Sequence, residues 1–210
     1  MEENMNNRAM HKLTYGLFVL SAFQYGKMNG CIINTAIQVT SNPNRISVAV
    51  NKSNLTHDLI METGMFNLSV ISEDANFKLF ERFGFQTGRD VDKFEGCPGY
   101  KRAANGIYYV TKGTNAYISG KVESTVDLGS HTLFIAEVTE MEVLSDVPSV
   151  TYSFYQEYIK PKPQPKAEKS DSKKTIWRCS VCGYEYEGEE LPADYICPLC
   201  KHPAFDFEKV

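Results

Sequence analysis

Four of the six cysteines in this 210-residue chain stand in two C-x2-C pairs, Cys179 with Cys182 and Cys197 with Cys200, inside residues 175–210. Each pair delivers two thiolates from one tight turn, and two pairs close a tetrahedral shell around a single metal ion. A unit this short cannot fold on burial alone, so it must be built around its metal. Disulfides are the competing use of six cysteines, yet the chain starts with the polar run Met1–Arg8 and shows no secretion signal. Metal ligation is therefore the reading, with Cys31 and Cys97 left over. The spacing by itself leaves iron and zinc both open, because structural zinc ribbons use the same arrangement.

The length exceeds one small domain, and residues 159–174, IKPKPQPKAEKSDSKK, mark where it divides. That stretch has no apolar periodicity, three prolines and many lysines, so it cannot bury enough surface to fold. It is expected to be a linker with a reach of about 25 to 45 Å, joining a domain at 1–158 to the cysteine unit at 175–210. Of 22 basic and 26 acidic residues, three basic and seven acidic ones fall in 175–210, which leaves 19 of each upstream. The formal charge of −4 thus sits entirely on the small unit. Nucleic acid and anionic membranes need a basic face, so neither is an expected partner. A redox protein with a basic docking patch fits better, because complementary fields speed encounter. No apolar run approaches membrane-spanning length, and the expected location is cytoplasmic.

Upstream of the linker, short runs rich in β-branched and aromatic residues alternate with turn signals. Strands are expected at 17–22, 31–41, 45–51, 66–72, 108–111, 116–124 and 131–144. Helices are expected at 56–63, with Thr56 as cap and Gly64 as stop, and at 75–83, where Phe77, Phe80 and Phe83 share one face. Few inserted helices among many strands predict a mainly β chain with an antiparallel barrel.

The run W-R-C-S-V-C-G-Y-E-Y-E-G, then L-P-A-D-Y-I-C-P-L-C-K and Phe205, resembles rubredoxin, and this moves the metal reading to iron. In that family Trp177, Gly183, Tyr184, Tyr186, Pro198 and Phe205 imply an aromatic core and the turns around the iron. Lys201 stands where a glycine is usual, which bears on the potential through the N–H groups aimed at sulfur and leaves the ligand set intact.

The common nucleotide and hydrolase motifs are absent upstream. Instead the ordered series N-G-C-I-I-N-T-A-I-Q-V-T-S (29–41), N-K-S-N-L-T (51–56), F-Q-T-G-R-D-V-D-K-F (85–94), D-L-G-S-H-T-L-F (127–134) and T-Y-S-F-Y (151–155) resembles the flavin reductase-like FMN-binding split-barrel family. The resemblance implies an FMN phosphate at Asn51, Lys52, Thr56 and the start of the following helix, chemistry suited to a cation and helix amides. It places the flavin ring along Asn34, Thr35, Ala36 and Gln38, and brings Asn29, Arg89 and Lys93 to the cofactor. Taken alone, these lysines and arginines read as solvated surface charges. His131, in a Gly-x-His pattern, falls where relatives hold a histidine beside flavin and nicotinamide, so it is the candidate catalytic residue. Cys31 reads as a buried, inert thiol and Cys97 as a loop residue.

A nicotinamide gives up two electrons as hydride, a four-cysteine iron accepts one, and a flavin handles both. A flavin barrel joined to a rubredoxin-like unit resembles the high-molecular-weight rubredoxins of anaerobes, and implies electron flow from NADH or NADPH through FMN to iron and on to a flavodiiron protein. Relatives of the barrel are homodimers, so a homodimer is expected. Two other classes stay open: a carrier without pyridine nucleotide activity, and a flavin-binding protein with a structural zinc knuckle. Metal analysis after iron-replete anaerobic growth should find one iron per chain and a red, dithionite-bleachable chromophore, whereas stoichiometric zinc without that colour would contradict the iron assignment.

Overall fold

The computed structural model describes residues 7–161, 175–181, 183–198 and 202–210, and the chain divides into two compact units, Met1–Lys160 and Pro161–Val210. In the larger unit β1 (Phe18–Gln24) turns into β2 (Lys27–Ile33) through Tyr25 and Gly26, both with positive φ, the two-residue hairpin turn that matches strand twist. Then follow β3 (Ile37–Ser41), β4 (Asn44–Asn51), α1 (Leu55–Thr63), β5 (Met65–Ile71), α2 (Phe77–Gly84), β6 (Tyr100–Arg102), β7 (Tyr108–Val110), β8 (Thr114–Asp127) and β9 (His131–Val143). Seven of these strands form one antiparallel sheet in the order β2-β1-β5-β8-β9-β4-β3, and β6 pairs with β7 apart from it. The chain is mainly β, as the strand pattern predicts.

The sheet curls around an inner core drawn from β1, β2, β4, β5, β9 and α1, in which Leu20, Val48, Val50, Phe66 and Phe134 have no exposed surface. α1 supplies Leu59 and Ile60 to that core and stops at Gly64, whose left-handed conformation lets its N–H reach Ile60 O. On the outer face α2 buries Phe80 and Phe83 with Phe94, Tyr155, Val19 and Ile71, so the phenylalanine face is core as expected. Gly30 lies beneath it, where a Cβ would stand 3.0 Å from the Phe83 ring and press against it.

Several expectations shift. The single strand expected at 31–41 is two, broken at Asn34–Ala36, because the Thr35 hydroxyl donates to Ala49 O (2.7 Å) and accepts from Ala49 N–H (3.2 Å). A side chain thereby replaces ladder pairing with β4. The cap of α1 is Asn54, and Thr56 lies inside the helix. Ile159, expected to open the linker, packs against the outer core, and Lys160 N–H bonds Tyr155 O (2.8 Å). The rest of the expected linker, residues 162–174, lies outside the described residues.

In the smaller unit β10 (Ile176–Cys179), β11 (Glu185–Glu187) and β12 (Phe207–Lys209) form a sheet in the order β11-β10-β12. Cys179, Cys197 and Phe207 are its core, flanked by Trp177, Tyr184, Tyr186 and Tyr195. Phe205 departs from its expected core place: it is 71% exposed, and Phe207 packs edge-on to Tyr195 at 5.4 Å instead. Among the described residues no helix is long and apolar enough to cross a membrane.

Candidate functional site

One rim of the barrel gathers several of the expected cofactor residues. Asn51, ending β4, pairs with His131, which opens β9. Asn51 Oδ1 accepts from Ser53 N–H (2.9 Å), and its carbonyl from Asn54 N–H (3.0 Å), which folds the chain into α1. Lys52 N–H donates to Ser130 O (3.0 Å), locking this turn to the β8–β9 turn. The Asn54 side chain makes no capping bond, so the first turn of α1 has no side-chain acceptor from its own cap. The Lys52 ammonium lies 2.7 Å from Asp127 Oδ1. That hydrogen bond, with one from Gly129 N–H (2.8 Å), holds the Asp127 carboxyl below the usual carboxylate range. His131 Nδ1 is 2.9 Å from Ser130 Oγ.

Behind this rim runs a chain of polar contacts. Arg89 Nη2 donates to Asp58 Oδ2 (2.7 Å), Asp58 Oδ1 meets His57 Nδ1 (3.1 Å), and His57 Nε2 meets Thr132 Oγ1 (2.9 Å). A carboxylate only accepts, so His57 Nδ1 carries the proton toward it. Burial pushes Asp58 up, but the bonds from His57 and Arg89 outweigh it and hold its carboxyl below the usual range. Asp58 thus links α1 to the 85–93 segment, and His57 links α1 to β9. Gly88 lies on Asn29, where a Cβ would fall 1.5 Å from the Asn29 amide, so a side chain at 88 would displace that amide.

Along β4, Thr35 is fixed at Ala49 and Ala36 packs on the inner core. Gln38 pairs with Ile46 and donates to Asn44 Oδ1 (2.9 Å), so it stands roughly 17 Å along the strand from Asn51. Two expected ligands are turned inward. Thr56 is 1% exposed, because its position in the first turn of α1 faces it into the core. Lys93 is no solvated charge either: it is buried and donates to Gly30 O (2.9 Å) and Phe83 O (3.1 Å). It satisfies a carbonyl of edge strand β2 and one in the last turn of α2, where a cation suits the helix dipole. Burial pushes the Lys93 ammonium pKa down and that of the Cys31 thiol up.

In the smaller unit Cys179 and Cys197 are buried. Gly183 N–H donates to Cys179 O (2.8 Å), with Gly183 at φ 79°, and Cys197 N–H donates to His202 O (2.8 Å). Both cysteines lie in the core of this unit, chemistry fit for a thiolate-held metal. Cys182 and Cys200 lie outside the described residues, and among the described ones no cluster of three metal ligands occurs.

Two recesses lie elsewhere, one of about 660 Å³ lined by Phe23, Met28, Phe94, Tyr100 and Tyr108 among others, one of about 250 Å³ lined by Met65, Asn105 and Glu140 among others. Neither contains an expected cofactor residue. Sequence reasoning missed Asp58, His57, Thr132 and Asp127. The only available signal was that all four sit within or beside the N-K-S-N-L-T and D-L-G-S-H-T runs.

Residues 10–161 match the flavin reductase like domain, and residues 177–208 the rubrerythrin, rubredoxin-like domain. The high molecular weight rubredoxin of Moorella thermoacetica is 34% identical over 98% of this chain and 100% of its own length. The ferric-chelate reductase (NAD(P)H) of Archaeoglobus fulgidus is 38% identical over 72% of this chain and 89% of its own. A solved FMN-binding protein from Thermus thermophilus shares the fold with a TM-score of 0.61 at 19% identity, covering 69% of this chain and 79% of that one.

The inward Lys93 and outward Arg89 separate in a stability measurement on the full chain, urea unfolding followed by far-UV circular dichroism. Lys93→Ala should cost about 1 to 3 kcal/mol, since two buried carbonyls lose their donor. Arg89→Ala, breaking an exposed pair, should cost less than about 1 kcal/mol. The reverse order would contradict the structural role of Lys93.

Proposed function

Because the chain belongs to the high-molecular-weight rubredoxins, flavin reductase-like proteins with a C-terminal rubredoxin-like domain, we propose that it carries electrons from NAD(P)H through FMN to four-cysteine iron and then to an external acceptor. FMN, when bound, takes a hydride and releases electrons singly, and the iron takes one at a time. The observation that carries this reading is the rim: Asn51, Lys52, the side-chain-uncapped start of α1 and His131 meet there, on a chain that also holds the paired cysteines.

Lys52 and the first-turn amides of α1 hold the phosphate, with Arg89 beside them. The main chain broken out of the sheet at Asn34–Ala36 meets the ring edge, and Gln38 takes its far end. The run from Gln38 to Lys52 along β4 suits the length of an extended flavin mononucleotide. Asn29, fixed under Gly88, lines the approach. Thr56 and Lys93 support these elements from behind.

His131 assists hydride transfer from an incoming nicotinamide, and the likeness to the ferric-chelate reductase (NAD(P)H) of Archaeoglobus fulgidus supports NAD(P)H as donor. A second copy of the chain covers the rim: the edge strand β3 leaves Ile37 63% and Val39 42% exposed, an apolar stretch suited to a homodimer. Residues 161–174 join the two units, and the acidic small unit docks on a basic redox acceptor such as a flavodiiron protein. Reduced cysteines suit the cytoplasm of an anaerobe.

Anaerobic addition of NADH or NADPH to the purified chain, followed in the visible spectrum, tests this reading. Flavin should bleach first and iron after it, and no bleaching by either nucleotide would overturn NAD(P)H as donor. His131→Ala should slow flavin bleaching about 10-fold or more, as loss of a positioned group at the reacting centre does, with FMN content and melting temperature nearly unchanged. An unaltered rate would remove His131 from the reaction.

A further inference from the structure

Both cations at the start of α1 are already engaged by carboxylates. Lys52 Nζ pairs with Asp127 and Arg89 Nη2 with Asp58, each at 2.7 Å. The two pairs share a further feature: neither carboxylate depends on its cation. Asp127 Oδ1 also accepts from Gly129 N–H (2.8 Å), and Asp58 Oδ1 from the His57 ring (3.1 Å). A cation can therefore leave without stranding its partner, since each carboxylate keeps a donor. The cations are free to move: the Lys52 and Arg89 side chains are 37% and 51% exposed.

We propose that Asp127 and Asp58 are exchange anions of the flavin phosphate site, which hold Lys52 and Arg89 in place and give them up when the phosphate arrives. This rests on the reading of Lys52 and the α1 start as the phosphate site. It adds two specificity-determining residues that never touch the ligand. Holding the cations nearby keeps their long side chains from wandering, and keeping both carboxylates beside the phosphate lowers its affinity. The carboxylates thereby set how much of the binding comes from the phosphate and how much from the ring. A flavin without phosphate feels neither effect.

The test compares dissociation constants of FMN and riboflavin for the flavin-stripped full chain by fluorescence titration. Asp127→Asn keeps the shape and the Gly129 contact while removing the charge. It should tighten FMN about threefold to fivefold, the scale of one exposed ion pair, and leave riboflavin unchanged. Asp58→Asn should act in the same direction, and the gain from Asp127→Asn should shrink as salt is raised. FMN binding that is unchanged or weaker in both variants, or a shift shared equally by riboflavin, would overturn the exchange role. Lys52→Ala separates this from the parent reading, since it should weaken FMN and spare riboflavin. If Lys52→Ala changes neither, the phosphate site itself is misplaced.

Discussion

The register of β4 against β9 is the constraint from which the rest of the site follows. Val48 lies opposite Phe134 and Ala49 opposite Leu133, so Asn51 meets His131 at the rim. Val48 and Phe134 are fully buried in the inner core, and a slip of one residue would turn both toward the opposite face. Burial of two apolar side chains therefore decides which polar groups share the rim. Once Asn51 faces His131, the Lys52 to Ser130 bond and the His57 to Thr132 contact join two turns and one helix into a single rigid edge. The 85–93 segment is then clamped from outside by Asp58 and from below by Asn29.

The small unit obeys a harsher version of the same rule. Its described core consists of two cysteines and Phe207, with a ring of partly buried aromatics around them. So little burial cannot offset the entropy of ordering the chain, and on our proposal thiolate to metal bonds supply the difference.

Much of this was legible in the sequence. Thiolate chemistry allows few uses for two C-x2-C pairs, and alternation along β4 and β9 reads directly as strands. Phe80 and Phe83 reveal the α2 face for the same reason of period. What stayed hidden depends on contacts between distant residues. Asp58 meets Arg89 across 31 positions and Lys52 meets Asp127 across 75, so nothing local marks either carboxylate. The inward turn of Lys93 follows from carbonyls on β2 and α2 that only the fold brings together. The break at Asn34–Ala36 interrupts a run rich in strand formers, and there the Thr35 hydroxyl takes the Ala49 backbone groups that a continuous strand would pair with. Phe205 and Phe207 differ by two positions, and only the pairing of β12 with β10 turns Phe207 inward.

A two-electron donor and a one-electron carrier need an intermediary, and one chain holding both a flavin fold and a paired-cysteine unit keeps that intermediary at hand. On our proposal the residues between the two units act as a flexible tether, which would give an effective concentration of order millimolar, far above the concentration of the protein itself. The most direct test is anaerobic stopped-flow reduction of the intact protein by NAD(P)H, with the iron absorbance followed over a series of protein concentrations. Our account predicts an iron reduction rate constant that does not change with protein concentration, because the electron travels within the molecule. A rate that rises in proportion to protein concentration would mean that flavin and iron meet only by collision between molecules, and would contradict it.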